Sequence, residues 1–293
     1  MKQLIVISLI MLVGVMTGYS QEADILKSDA IIMESQMQYL KAAELYEQAA
    51  IKYDAEQKSD AFMYFKAGQC YNRVKRYDNA LPLLNEAKQN GYDEVDLYIS
   101  LGDAYVGKKD YKQAEEALLK GREKDEEREL DINKKLAFTY LNSKQYEKSV
   151  EVINAGLAVE PNDVSLLYYL GSSYQRLKKY PEACESLERV LEVDPNHKNA
   201  TKMLGVLYFK LTDHKYNVET KRYEALKNPS RVDYHNSTKK MEQISKGYSK
   251  SLPYLEKAHS NSPKDKSIIS CLNVAYRRLK MENKADEMSQ LLD

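Results

Sequence analysis

The stretch FKAGQCYNRVKRYDNALPLLNEA, from Phe65 to Ala87, decides the fold because its pattern returns along the chain. Counted from Gly68, a Tyr follows after three residues and again after nine, an Ala after twelve, a Leu after sixteen and an Ala after nineteen. The same steps counted from Gly102 give Tyr105, Tyr111, Ala114, Leu118 and Gly121. The anchors from Gly68 to Gly205 are 34 residues apart, with one step of 35, and the related units start at Ala30, Ala137, Gly171 and Gly205.

Each unit has the spacing of two short helices. Apolar residues at steps of three and four form a stripe along one side of a helix. A glycine inside a helix costs about 1 kcal/mol relative to Ala, so its return at the same point of several units indicates that a second helix packs closely there. Pro161 and Pro195 are expected to lie where helices end. One helical hairpin cannot bury its stripe alone, so neighbouring hairpins are expected to stack.

The 34-residue period and the motif Leu-Gly-x-x-Tyr, present as LGDAY, LGSSY and LGVLY, resemble the tetratricopeptide repeat (TPR). The resemblance covers nearly all of residues 23–293. The tryptophan that is usual in the first helix is replaced by Tyr64, Tyr98 or Leu167, which changes packing detail but not the family. The resemblance implies an all-α fold: an α-solenoid over residues 21–293, as a right-handed superhelix of about seven TPR helical hairpins.

Residues 214–247 interrupt the unit that starts at Gly205, and their length equals one repeat. As a degenerate extra repeat, the segment would bury charge without partners at His235, Thr238, Lys239 and Glu242. The favoured interpretation is an insertion that lengthens both helices of one hairpin, with a turn at Asn228-Pro229-Ser230 and a bend at Pro253. The two apolar stripes would then be Leu204, Tyr208, Leu211, Val218 and Ala225, and Tyr234, Met241, Ile244, Tyr248 and Leu255.

We call residues 214–247 the arm. It carries eight Lys or Arg residues against four acidic ones. The functional interpretation is a docking arm for an acidic partner or an anionic envelope surface, and the alternative is a solvated helical hairpin without a ligand. The candidate contact residues of this basic arm are Lys221, Arg222, Arg231, Lys239 and Lys240.

The N-terminal stretch MKQLIVISLIMLVGVMTGYS differs from the rest of the chain. One Lys precedes an apolar run from Leu4 to about Met16. This run is shorter than the ~20 residues of a membrane-spanning helix. It predicts a signal peptide over residues 1–20 that is cleaved after Ser20 and leaves no membrane span, with an uncleaved anchor as the alternative. The protein is therefore expected to be exported, as a periplasmic, envelope-associated or secreted protein.

The composition and motifs exclude several function classes. The 44 Lys and Arg residues balance the 44 Asp and Glu residues, so no nucleic-acid partner is expected. The sequence has no phosphate-binding glycine loop and no nucleophile elbow, and its four histidines lack metal-ligand spacing. Neither enzyme activity nor a cofactor nor a metal site is predicted. Cys70 and Cys184 fall on apolar stripes and are expected to be buried thiols rather than halves of a disulfide.

In TPR proteins the first helices of successive hairpins line a concave groove that binds peptides or partner segments. The resemblance therefore implies a protein or peptide partner. Phe65, Phe138, Tyr168 and Phe209 are large side chains expected to be open in this groove, unless the superhelix or the arm closes over some of them. The candidate groove residues are Phe65, Gln69, Arg73, Ile99, Asp103, Lys134, Phe138, Leu141, Tyr168, Gln175, Lys202, Phe209 and Arg277.

The Lys and Asn arrangement by which chaperone-linked TPR domains hold a terminal carboxylate is not expected, because Phe138 stands where the Asn after Lys134 would be needed. The leading hypothesis is a non-catalytic protein–protein interaction scaffold of the bacterial cell envelope that binds a partner polypeptide in its concave groove. The alternative is an accessory protein that binds an anionic small ligand or glycan through the groove or the basic arm.

Overall fold

The computed structural model describes residues 21–292. Every regular element in this range is a helix, and first and second helices alternate except in the arm, where an additional helix is inserted. The predicted fold class, an all-α solenoid of helical hairpins, is confirmed. The predicted signal peptide, residues 1–20, lies outside the described residues. The chain forms two compact units, unit 1 up to Gln145 and unit 2 from Tyr146 onward.

Unit 1 begins with helix α1, residues 21–35. Three complete hairpins and one further helix belong to this unit, and a short 3-10 turn at Glu126–Arg128 precedes the last helix. The helices after α1 are α2 (Tyr39–Ala55), α3 (Ala61–Arg73), α4 (Tyr77–Gln89), α5 (Val95–Gly107), α6 (Tyr111–Lys124) and α7 (Glu129–Asn142).

Unit 2 begins with one helix and then contains a complete hairpin, the hairpin that carries the arm, and the last hairpin. Its helices are α8 (Tyr146–Val159), α9 (Val164–Arg176), α10 (Tyr180–Val193), α11 (Lys198–Glu224), α12 (Arg231–Ser245), α13 (Tyr248–Asn261), α14 (Lys266–Arg278) and α15 (Glu282–Gln290).

Close packing at the repeat anchors explains why these positions are glycine. A Cβ atom on Gly68 would lie 2.7 Å from Cγ of Leu84, the leucine sixteen residues later. The same contact would measure 2.7 Å between Gly102 and Leu118. These distances are too short for any larger residue unless a buried leucine moves, so the predicted close approach of the two helices is confirmed.

The turn inside each hairpin places the residue seven after the anchor in the left-handed region of backbone space. The φ values lie between 59° and 63° at Met37, Lys75, Lys109, Lys144, Lys178 and Lys280. In the unit of Gly205 this position is Thr212, a β-branched residue for which the left-handed conformation is unfavourable. Helix α11 continues straight through Thr212 to Glu224.

Acidic or imidazole side chains start the first helices after the linkers between hairpins. The carboxylate of Asp163 accepts a hydrogen bond from the backbone N–H of Leu166, and Nδ1 of His197 accepts one from the backbone N–H of Ala200. Each of these side chains satisfies a backbone donor that would otherwise lack a partner at a helix N-terminus. Pro161 and Pro195 lie in the same linkers, between the end of one helix and the start of the next.

The arm differs in two respects from the prediction. Its outgoing helix is the extension of α11, but its return consists of α12 and α13, which are separated at Lys246 and Gly247. A single long return helix with a bend at Pro253 is therefore wrong. Pro253 is the sixth residue of α13, the position that Pro82 occupies in α4, so it belongs to the repeat pattern.

The predicted apolar stripes also fail in the outer part of the arm. Val218 is 54% exposed and Tyr234 is 62% exposed, and Ala225 is exposed as well. The residues buried there are Glu219 and Ser237, whose hydroxyl donates a 3.1 Å hydrogen bond to Glu219 Oε1. The seam between α11 and α12 is therefore centred on a polar contact.

The three cysteines are buried and form no disulfide. Burial raises the pKa of the Cys70 thiol to about 12. It raises the pKa values of Cys184 and Cys271 to about 11. These side chains pack as small apolar groups, as the sequence predicts for Cys70 and Cys184.

Candidate functional site

In each unit the candidate site is the exposed side of the first helices, which we call the first-helix face of that unit: α3, α5 and α7 in unit 1, and α9, α11 and α14 in unit 2. Apolar side chains on the opposite side of these helices contact the second helices and form the core. What remains exposed on the first-helix face can therefore contact a partner.

Two of the four large side chains predicted to be open on this face are buried. Phe65 is only 3% exposed, because its ring stacks on Tyr92 with 4.5 Å between the ring centres. Phe209 is 9% exposed and packs against Tyr248, with ring centres 5.5 Å apart. The expectation that Phe65 and Phe209 are open is therefore wrong, since both rings are used in internal packing.

The structure exposes Phe62 instead. Its side chain is 44% exposed, and its ring centre lies 6.0 Å from that of Phe65 and 5.9 Å from that of Tyr92. We call these three residues the aromatic step. Phe62 is not among the residues predicted from the sequence, although it precedes Phe65 by three residues and therefore lies one helical turn earlier on the same side of α3.

The other candidate residues of unit 1 are mixed in exposure. Phe138 is 40% exposed, whereas Ile99 is 8% exposed. The carboxylate of Asp103 forms a 2.6 Å ion pair with Lys135, and Gln69 accepts a 3.2 Å hydrogen bond from Lys66. The remaining candidates are half-buried or exposed: Arg73, Lys134 and Leu141.

The charged candidates of unit 2 are paired within the chain. Lys202 forms an ion pair with Asp265, and Arg277 lies 3.5 Å from Glu282 and 3.2 Å from Asp286. The half-buried ring of Tyr168 is centred 5.1 Å from the ring of His197, and Gln175 is also half-buried. This part of the face therefore offers fewer open contacts than unit 1.

In the arm, two of the five basic candidates hold the buried Glu219. Arg222 and Lys240 each approach its carboxylate to 2.6 Å. Hydrogen bonds from Arg222 and Lys240 lower the pKa of Glu219 to about 2, so the carboxylate is ionised. The other basic candidates are exposed and form no ion pair within residues 21–292: Lys221, Arg231 and Lys239.

Two kinds of site are not found in the part of the chain that the structure describes. Among residues 21–292, His, Cys, Asp and Glu side chains do not converge in any group of three that could hold a metal ion. Over the same range, no helix combines the length and the apolar character needed to cross a membrane.

Helical hairpins that follow one another with a glycine-to-leucine contact at a fixed spacing define the class of helical-repeat proteins. Three family models, each described as tetratricopeptide repeat, match residues 35–94, 95–121 and 164–197. The chain therefore contains tetratricopeptide repeats at these residues. Such repeats bind protein or peptide partners and are generally non-catalytic interaction scaffolds.

Solved structures share the fold at low sequence identity. The C-terminal part of a TPR repeat-containing protein from Cytophaga hutchinsonii is 15% identical, with a TM-score of 0.64, over 90% of this chain and 93% of that one. PilF from Pseudomonas aeruginosa is 14% identical, with a TM-score of 0.58, over 79% of this chain and 90% of that one. YrrB, described as a TPR protein with an unusual peptide-binding site, is 20% identical, with a TM-score of 0.52, over 60% of this chain and 88% of that one. None of the curated proteins matches the sequence.

Proposed function

We propose that this protein is a non-catalytic interaction scaffold that binds a segment of a partner polypeptide on the first-helix face of unit 1. The observation that carries the proposal is Phe62, a large aromatic side chain that is 44% exposed yet supported by two other rings. Aromatic side chains that are held rigidly lose little entropy on binding, and they are enriched among the residues that contribute most to interface affinity.

The surroundings of the aromatic step suit a partner segment. Lys66, one turn after Phe62 on α3, pairs with Glu34 at 2.5 Å and donates to Gln69 at 3.2 Å. Polar groups around an apolar anchor are the usual arrangement of an interface rim. Because the supporting helices are formed before binding, little conformational entropy of the scaffold is lost. We expect the partner to insert an apolar side chain against Phe62.

The proposed location is the cell envelope, reached by export. This part of the proposal rests on the signal-peptide pattern of residues 1–20 alone. Intact-mass measurement of the exported protein tests it: a mass that begins at Gln21 is expected, and a mass that retains Met1 would contradict cleavage.

The binding proposal is tested with Phe62→Ala and a matched control, Ile51→Ala. Ile51 is 57% exposed but belongs to the second helix α2 and therefore lies off the first-helix face. Each purified variant is immobilised, incubated with envelope extract, and the retained proteins are quantified against the wild type. The expected result is loss of a stoichiometric polypeptide with Phe62→Ala and its retention with Ile51→Ala, with circular dichroism unchanged in both. Equal retention by the two variants would contradict the proposal.

The alternative function, binding of an anionic small ligand or glycan through the basic arm, has less support. Arg222 and Lys240 are held on Glu219 and are partly neutralised by it. The three basic candidates that are left lie on exposed helix surface. Thermal shift of the protein by anionic ligands, in the absence of any polypeptide partner, would favour this alternative.

A further inference from the structure

A cleft of about 500 Å³ lies between the arm and the last hairpin. One wall is formed by the extension of α11 and by α12, and the other by the end of α14 and the turn that follows it. The arm is an insertion in the repeat pattern, so this cleft is not part of the regular first-helix face. Its volume is within the range of about 300–1,000 Å³ that is usual for ligand pockets.

Two contacts across the cleft hold its walls together. The guanidinium carbon of Arg278 lies 3.9 Å from the ring centre of Tyr216, and the same guanidinium donates a 2.9 Å hydrogen bond to the Tyr216 hydroxyl. On the other side, the Lys280 ammonium pairs with the Glu242 carboxylate at 3.4 Å. The arm is therefore attached to the last hairpin, and the cleft is formed before any ligand binds.

The cleft is positively charged. Four cationic side chains and only one carboxylate line it. Lys280 is paired with that carboxylate, and Arg277 is paired with Glu282 and Asp286 outside the lining. Lys246 and Arg278, by contrast, form no ion pair with a carboxylate within residues 21–292.

The cleft also offers apolar surface beside these two cations. Met241 from α12 and Leu279 from the turn after α14 both line it and are half-buried. Methionine adapts its shape to an inserted aliphatic side chain. An ion such as free phosphate would use the cations alone, whereas a peptide with acidic and aliphatic side chains would use both surfaces.

We propose that this cleft is a second binding site that takes an acidic segment of a polypeptide. A carboxylate of the segment binds Lys246 and Arg278, and a neighbouring aliphatic side chain packs on Met241 and Leu279. Arg278 is pre-oriented by Tyr216, so little side-chain entropy is lost when the carboxylate binds. The site is distinct from the aromatic step and does not depend on the proposed function of that surface.

The experiment measures fluorescence anisotropy of a fluorescein-labelled octapeptide of alternating Asp and Leu with the full chain. The test variant is Lys246→Gln combined with Arg278→Gln. The control variant, Lys221→Gln combined with Lys239→Gln, removes the same charge from exposed positions of the arm outside the cleft. We expect the test variant to weaken binding by about tenfold or more and the control by less than about twofold, since charge-assisted contacts are local.

Two further peptides separate the contribution of the carboxylates from that of the aliphatic side chains. The matched peptide of alternating Asn and Leu, and one of alternating Asp and Gly, are each expected to bind more weakly than the Asp and Leu peptide. Arg278→Gln also removes the contact with Tyr216 that holds the arm, so Lys246→Gln is measured alone as well. The Lys246 side chain makes no hydrogen bond or ion pair within residues 21–292, so weaker peptide binding by this variant would report the lost charge rather than a displaced arm.

Several results would overturn the proposal. The first is that the wild type does not bind the Asp and Leu peptide, and the second is that the test and control variants weaken its binding equally. The third is that the Asn and Leu peptide binds as tightly as the Asp and Leu peptide. The fourth is that inorganic phosphate at the same concentration displaces the peptide. A preference for anionic vesicles over the peptide would also overturn it. Phe62→Ala is expected to leave this peptide binding unchanged, so failure here is distinguishable from failure of the proposed function.

Discussion

A Cβ atom on Gly205 would lie 3.2 Å from Cδ2 of Leu255, fifty residues later in the chain. In the regular hairpins the anchor glycine contacts a leucine sixteen residues later, as Gly68 contacts Leu84. The difference is 34 residues, the length of the arm from 214 to 247. The hairpin that contains Gly205 thus keeps the regular contact, and the arm is inserted between its two helices.

Deletion of residues 214–247 is therefore expected to restore a regular hairpin. The deletion should include Thr212→Gly, because the turn needs a residue with positive φ at this position and glycine adopts it without strain. We expect a single cooperative thermal transition with the melting temperature lowered by at most about 5 °C. Circular dichroism with thermal melting measures both quantities.

The deletion that retains Thr212 is the matched control, and it should be less stable than the variant with glycine. Equal stability of the two deletion variants would show that the turn is not rebuilt. A broad, non-cooperative transition in both would contradict the view that the arm is separable from the repeats.

A second prediction concerns the glycine at the repeat anchor. Gly102→Ala places a Cβ 2.7 Å from the fully buried Leu118. Overpacking costs about 1–3 kcal/mol, which offsets the ~1 kcal/mol gained in helix propensity and leaves a net loss of up to about 2 kcal/mol. Leu118→Ala alone is expected to cost about 2–5 kcal/mol through the cavity it leaves. Denaturant unfolding of the double variant should show a loss of unfolding free energy that is smaller than the sum of the losses in the two single variants. Additive losses would contradict direct contact between the two residues.

The repeat period allowed the contact between the anchor glycine and the leucine to be predicted, because contacts between the two helices of a hairpin recur at a fixed spacing in the sequence. The aromatic step could not be predicted in full, since Tyr92 lies in a linker whose residues do not follow the period. The predicted apolar stripes of the outer arm were wrong for another reason. Seven-residue steps drift by about 20° per step on an α-helix, so the predicted stripe through Leu211 and Val218 turns away from the buried side of α11, which continues from Leu204 to Thr212 and Glu219.

A hydrogen bond that crosses from one hairpin to the next gives a third prediction. The Tyr71 hydroxyl donates to the Glu47 carboxylate at 2.9 Å, and Tyr276 donates to Glu256 at 2.7 Å. Tyr71→Phe is expected to cost about 0.5–1.5 kcal/mol in denaturant unfolding. Tyr105→Phe is the matched control at the same repeat position, because Tyr105 makes no side-chain hydrogen bond within residues 21–292. Equal losses in both variants would contradict a role for the hydroxyl.

The tyrosines also predict loss of stability at alkaline pH. Burial, together with hydrogen bonds to Glu47 and Asp93 respectively, raises the pKa values of Tyr71 and Tyr98 to about 12 from 10.0. Above pH 10 the unfolded chain loses these protons while the folded chain keeps them, so the free energy of unfolding falls as pH rises from 10 to 12. Melting temperatures should begin to fall near pH 9, where the three buried thiols ionise in the unfolded chain only, and should fall more steeply above pH 10. Absorbance at 295 nm should rise in two steps, first as exposed tyrosines such as Tyr234 ionise in the folded chain and then as the buried ones ionise together with unfolding. Ionisation of all tyrosines before unfolding would contradict the prediction.

The buried carboxylate in the arm gives the last prediction. Arg222, Lys240 and Ser237 bind Glu219 and lower its pKa to about 2 from 4.5. Its stabilisation of the seam is therefore present above pH 4.5 and lost as pH falls from 4.5 towards 2. At pH 7, Glu219→Gln leaves two cations without their buried counter-ion, which costs about 1–3 kcal/mol. Hydrogen exchange of residues 215–245 should then accelerate, whereas the exposed Glu224→Gln should change nothing. The difference in hydrogen-exchange rate between the wild type and Glu219→Gln should be smaller at pH 3 than at pH 7. A difference that does not depend on pH would show that the seam is held by packing alone.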